Sequence, residues 1–202
     1  MTRSPTEVNR WLARENEQGM FVSLFFAYYD VTTGELIYAN AGHNPPYIVR
    51  PAGPLDVLDP TGPLVAPFPD ATFHDAQDGL GHGDLLVLFT DGVTESGVEQ
   101  GGLFGEERLE RLLQSSTATP VADVCRNVIQ AASDFSHGDL ADDATVLALR
   151  RTCLAGTPGR MAAASPGGCT DDKPYVNSSR CAQTFSNALT YCSTSSGASE
   201  VK

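Results

Sequence analysis

The sequence predicts an α+β domain of stacked sheets and helices, and three observations carry that prediction. Apolar segments of strand length follow one another at hairpin spacing through residues 21–89. Two helical patterns, 106–114 and 120–133, come one after the other and do not alternate with strands. A further strand-length apolar run, 144–150, comes after them. Hairpin strands with grouped helices argue for a layered α+β domain and against a doubly wound parallel sheet, in which strands and helices alternate.

Each element has its own signal. Ser4-Pro5-Thr6-Glu7 opens a helix, with Ser4 as the cap, Pro5 at the first helical position and Glu7 completing a capping box. Val8, Trp11 and Leu12 share its apolar face, and Gly19 is the expected stop. Residues 21–29 are dense in β-branched and aromatic side chains and predict a strand buried on both faces. A turn at 30–35 leads into the return strand Leu36-Ile37-Tyr38-Ala39. Tyr47-Ile48-Val49 follows the Pro45-Pro46 break, and 55–58 is another short strand. Residues 61–70, rich in Pro and Gly, predict a loop, and 72–77 an edge strand. Leu85-Leu86-Val87-Leu88-Phe89 is the most hydrophobic run and predicts a central strand that delivers Thr90-Asp91-Gly92 at its end. Leu109, Leu112 and Leu113 mark the apolar side of the helix at 106–114. Thr119 and Pro120 read as cap and first residue of the second helix.

Composition divides the chain. Residues 1–151 carry the apolar periodicities, whereas 152–202 is a low-complexity segment rich in Ser, Thr, Gly and Ala, expected to be a disordered tail. The formal charge is −12, and the tail holds 3 acidic and 4 basic residues, so the acidity lies in residues 1–151. An acidic chain repels phosphate backbones and anionic lipid, which excludes nucleic acid and membrane surfaces as partners. No run approaches the roughly 18 apolar residues of a spanning helix, and no apolar signal core follows Met1, so the expected location is the cytoplasm. Cys125 sits among Val121, Val124, Val128 and Ile129 and reads as a buried structural thiol. Cys153, Cys169, Cys181 and Cys192 lack the paired spacing of a zinc site.

Two acidic positions stand at the ends of apolar strands: Asp91, just after 85–89, and Asp142-Asp143, just before 144–150. Carboxylates at the rim of a buried sheet need water, a partner or a cation. Aspartates without Cys or clustered His suit hard ions such as Mg²⁺ or Mn²⁺. An Asp-Gly turn and a solvated strand start are the plainer alternatives, and both stay open at this point. His43 lies in Gly42-His43-Asn44-Pro45-Pro46, a stiff loop able to hold an imidazole over a cleft. His74, His82 and His137 have no such setting. The glycines of 97–105 lack the ending of a phosphate-binding P-loop, and no G-x-S-x-G elbow occurs.

Five segments resemble one family, in its order and at its spacing. They are Met20-Phe21-Val22-Ser23-Leu24-Phe25, the stretch from Tyr38 to Pro46 with Ala41-Gly42-His43-Asn44-Pro45-Pro46, the stretch from Gly83 to Glu95 with Thr90-Asp91-Gly92, Leu103-Phe104-Gly105, and Asp142-Asp143-Ala144-Thr145. Residues 5–150 resemble the SpoIIE-type branch of the metal-dependent (PPM-type, or type 2C) protein serine/threonine phosphatases of bacteria. The resemblance implies an αββα sandwich, here partial, and a two-metal site with Mn²⁺ or Mg²⁺ between the sheets. It implies Asp91 and Asp142 as metal ligands, Asp143 as a supporting residue, and His43 and Asn44 near the cleft with no role carried over. It also implies a phosphoprotein substrate, such as an anti-anti-sigma factor of a partner-switching circuit, hydrolysed by metal-activated water with no covalent intermediate.

The family pattern also has G-G-D-Y-type and D-x-S-G-H-G motifs before the first helix, and these 202 residues contain neither. The resemblance therefore implies an N-terminally truncated domain with part of its metal site missing. A non-catalytic phosphoprotein-binding or regulatory fragment is the alternative, and a plain α+β structural domain a third.

Overall fold

The structure, a computed structural model, describes residues 5–98, 101–152 and 189–194. In chain order the elements are α1 (Pro5–Arg14), β1 (Leu24–Tyr29), β2 (Glu35–Ala41), β3 (Tyr47–Val49), β4 (Leu55–Val57), β5 (Ala76–Gly79), β6 (Leu85–Phe89), α2 (Asp91–Thr94), α3 (Glu106–Gln114), α4 (Val121–Phe135), β7 (Ala144–Arg150) and β8 (Leu189–Thr194). They form two antiparallel sheets, one ordered β1-β2-β5 and the other β4-β3-β6-β7-β8. The α+β class and the two-sheet sandwich are as the sequence implies.

Strand periodicity sorts the core into two layers. Alternate residues of the larger sheet point to opposite faces. Tyr47, Val49, Leu85, Val87, Phe89, Val146 and Ala148 meet Val93, Phe104, Leu109, Leu113, Val124, Cys125, Val128 and Ala132 of the helical layer. On the other face, Ile48, Leu86 and Leu149 meet Leu36 and Tyr38 of the smaller sheet, with Phe25 and Tyr29 packed alongside. Phe25 and Tyr38 stack with centroids 5.5 Å apart. Cys125 is fully buried in the helical layer, as expected of a structural thiol.

Four expectations are corrected. The strand expected at 21–29 to be buried on both faces is the shorter β1 at a sheet edge, with Phe26 and Tyr28 exposed on its outer face. Its composition signals β structure but not how many layers cover it. The first helix ends at Arg14, before Gly19, and Trp11 is exposed. The buried residue of α1 is instead Asn9, whose side chain bonds loop 66–69: Nδ2 donates to the carbonyls of Phe68 (2.9 Å) and Pro69 (3.4 Å), and Oδ1 accepts from the amide of Ala66 (2.8 Å). The edge strand expected at 72–77 forms at Ala76–Gly79, where it can pair with β2. The second helix starts at Val121, with Pro120 as its N-cap. The proposed Ser4 cap lies outside the described residues, as does most of 152–202. From that segment, β8 pairs along β7 from Ala144↔Thr194 to Leu149↔Leu189.

One end of the sandwich is tied by arginines. Arg50, directly after β3, donates from Nε to Asp56 (2.7 Å), from Nη2 to Asp78 (3.0 Å), and from Nη1 to Asp84 and the carbonyl of Gly79. Asp78 belongs to β5 and Asp84 precedes β6, so one guanidinium joins both sheets. Burial pushes the Arg50 charge toward neutrality, but the three carboxylates outweigh it and raise its pKa above the ordinary value. Arg151 adds bonds to the carbonyls of Leu80 (2.7 Å) and Thr32 (3.0 Å). The opposite end of β6 leads to Asp91.

Candidate metal centre

The register of β6 and β7 builds the site. Their antiparallel pairing sets Phe89 opposite Val146, so the residues after β6 and those before β7 lie at one rim. Thr90 locks them together. Its amide donates to the Thr145 carbonyl (3.1 Å), its hydroxyl donates to the Asp143 carbonyl (2.9 Å), and the same hydroxyl accepts from the Thr145 amide (2.9 Å). A threonine suits this place because one hydroxyl both donates and accepts.

Asp91 and Asp142 therefore stand at the same rim on adjoining strand ends, as their positions after and before apolar runs suggest. Asp91 begins α2, where the sequence pattern also allowed a simple turn. Its Oδ1 accepts from the Gly92 amide at 3.0 Å, and its carbonyl accepts from the Glu95 amide (2.7 Å) and the Thr94 hydroxyl (3.2 Å). Asp142 Oδ1 accepts from the Asp143 amide at 2.7 Å. Both carboxylates are exposed. Among the described residues neither forms a salt bridge with a basic side chain.

His43 reaches the same rim from the other sheet. It lies in the loop between β2 and β3, and pairing of Tyr47 with Val87 carries the residues before Tyr47 along the end of β6. Its main-chain amide donates to Asn40 Oδ1 (2.9 Å), and its Nδ1 lies 3.1 Å from the Ser23 hydroxyl. Burial pushes the imidazole pKa below its ordinary value, and the negative charge of Asp91 opposes that shift. Ser23 was missed as a site residue. The signal for it is register: Leu24 pairs with Ala41, so Ser23 falls beside the Gly42-His43 corner.

The donors are right in kind for a hard divalent ion, being carboxylate oxygens with no competing cation. They are too few to enclose one, because such ions take about six oxygen ligands, some from water or phosphate. Among the described residues no group of three or more His, Cys, Asp and Glu side chains could hold a metal. No described helix is long and apolar enough to cross a membrane.

Comparison with known proteins bears on the family and the fold. A family model described as Stage II sporulation protein E (SpoIIE) matches residues 2–152. Protein IcfG of Synechocystis sp. is 34% identical over 146 residues, covering 71% of this chain and 23% of that protein. Phosphoserine phosphatase RsbU of Bacillus subtilis is 28% identical over 145 residues, covering 71% of this chain and 43% of that protein. The chain thus spans less than half the length of either relative. The phosphatase domain of the cell fate determinant SpoIIE from Bacillus subtilis, in a manganese-presoaked crystal, superposes with a TM-score of 0.56 at 17% identity, covering 78% of this chain and 70% of that one. By the family match over residues 2–152, this chain belongs to the SpoIIE family, and the solved phosphatase domain shares its fold.

Proposed function

We propose that this chain contributes to a metal-dependent phosphatase site that hydrolyses phosphoserine or phosphothreonine in a partner protein. The observation that carries the reading is the delivery of Asp91 and Asp142 to one rim by the β6–β7 register, with no salt bridge to either among the described residues. Asp91 and Asp142 would hold Mn²⁺ or Mg²⁺, and the ligands they lack would come from water, the substrate phosphate and acidic groups beyond the described residues. Held there, such ions would supply a water of lowered pKa and would offset the charge of the phosphoryl oxygens.

The chain's own residues set the stage for that chemistry. Thr90 fixes the spacing between the two aspartate-bearing segments. Asp91 and Asp142 keep negative charge at the rim, which concentrates divalent cations there. The match to RsbU, named a phosphoserine phosphatase, supports phosphoserine as the group removed, and the family resemblance implies an anti-anti-sigma factor as the protein that carries it. Cytoplasmic location follows from that role.

The test is release of phosphate from a phosphoserine peptide by the full chain with Mn²⁺, beside Asp91→Asn and Asp142→Asn. Turnover lost in both variants supports the reading. The too-small ligand set favours a second reading, a fragment that binds phosphoprotein without turnover. A folded chain without turnover, but with Mn²⁺-dependent broadening of amide signals around Asp91 and Asp142, favours an incomplete site. A folded chain with neither response sinks the metal-site reading.

A further inference from the structure

The β2–β3 loop is held more firmly than an ordinary crossover needs. Gly42 has φ +68°, and a Cβ there would lie 2.8 Å from Leu64 Cδ2, so the turn accepts only glycine without strain. The next residue, His43, hangs from Asn40, which is wholly buried. Asn40 is itself tied on every side. Its Nδ2 donates to the Leu58 carbonyl (3.4 Å), its amide donates to the Thr61 hydroxyl (2.9 Å), and its carbonyl accepts from the amides of Thr61 (2.8 Å) and Gly62 (3.1 Å). Pro45 and Pro46 then stiffen the exit. This frame fixes one half-buried imidazole at the rim where β6 ends, within electrostatic reach of Asp91, with Nδ1 engaged by Ser23 and no hydrogen bond to Nε2 among the described residues.

We propose that His43 is a substrate-contacting residue of this site: with Nδ1 accepting from the Ser23 hydroxyl, Nε2–H donates a hydrogen bond to a phosphoryl oxygen of a phosphoserine bound at the Asp91–Asp142 rim. The inference rests on the phosphatase reading of that rim and adds a role for a residue of the β2–β3 loop. Its physical motive is charge. Asp91, Asp142 and Asp143 repel a phosphate dianion, so the substrate needs a donor on the facing wall as well as a cation. Ser23 acts through His43 and is a positioning residue: when its hydroxyl donates to Nδ1, the ring proton sits on Nε2.

The experiment titrates the ¹⁵N-labelled full chain with O-phosphoserine in Mg²⁺, reading the imidazole nitrogens and the amides of Asp91 and Asp142. The expected result is a saturable shift of His43 Nε2. His43→Ala should weaken binding roughly tenfold or more, the value of a hydrogen bond to a charged ligand. His43→Gln, which keeps a side-chain N–H, should recover part of it. Ser23→Ala should weaken binding less, and Ser23→Thr should restore it. An unmoved His43 ring, or wild-type affinity in a folded His43→Ala, overturns the proposal. If His43→Ala does not fold, the wild-type ring titration decides alone. Amide shifts at Asp91 and Asp142 with Mg²⁺, beside a silent His43, sink this inference and leave the metal reading standing. Silence at both sinks both.

Discussion

A Cβ atom at position 92 would lie 2.5 Å from the carbonyl oxygen of Asp143 and 2.8 Å from its carbonyl carbon. Gly92 is therefore the contact through which the start of α2 closes on the turn before β7. The two candidate ligands flank this contact, Asp91 on one chain segment and Asp142 on the other. Gly92→Ala should push the segments apart, costing about 1–3 kcal/mol as overpacking does. Urea denaturation checks the stability. Mn²⁺ broadening of the amides near Asp91 and Asp142 checks the site, and unchanged broadening in a destabilised variant would separate packing from metal binding.

His43 should titrate below the ordinary histidine value of about 6.5 in metal-free protein, because burial disfavours its charged form. The sign follows from proton uptake. Between the folded and unfolded pKa values the unfolded chain holds more protons, so stability rises with pH through that window. The contribution of His43 is fully present above about pH 6.5 and is lost as pH falls toward the folded pKa. Asp91→Asn removes the charge that favours the imidazolium and should lower the pKa further. Ring proton shifts followed by NMR measure both, and a rise in Asp91→Asn would contradict this electrostatic account.

Arg50→Met should destabilise the domain by about 3 kcal/mol, the low end for breaking a buried pair, since the Arg50 side chain keeps 25% exposure. The cost arises at Asp84, whose side chain is 7% exposed and loses its cation. Arg50→Met with Asp84→Leu should recover most of that loss, because an apolar pair of similar volume replaces a buried ion pair at little cost. Chemical denaturation of the single and double variants gives the comparison. Equal stability of the two would mean that Asp56 and Asp78, not Asp84, set the cost.

Asn9→Ala should cost about 1–3 kcal/mol by leaving the Ala66 amide and the Phe68 carbonyl without their partner. Trp11→Ala should cost little, since that side chain is 59% exposed. Hydrogen exchange at the Ala66 amide reports the loss directly. Faster exchange in Trp11→Ala than in Asn9→Ala would restore the apolar face that the helical spacing of α1 suggests.

Local signals in the sequence determined most of the element series, but not α2 or β8. The spans Glu106–Gln114 and Ala144–Arg150 follow from periodicity and hydrophobicity, and Leu85–Phe89 declares itself a central strand. Asp91 and Asp142 were legible as candidates because each adjoins a strand end. Tertiary structure alone decided which groups meet. The open face of β1, the burial of Asn9, the four-group clamp at Arg50 and the Ser23–His43 contact all join residues distant in sequence. Periodicity assigns a side chain to a face, but only the packing of the second sheet, the helices and the loops determines whether that face is covered and by what.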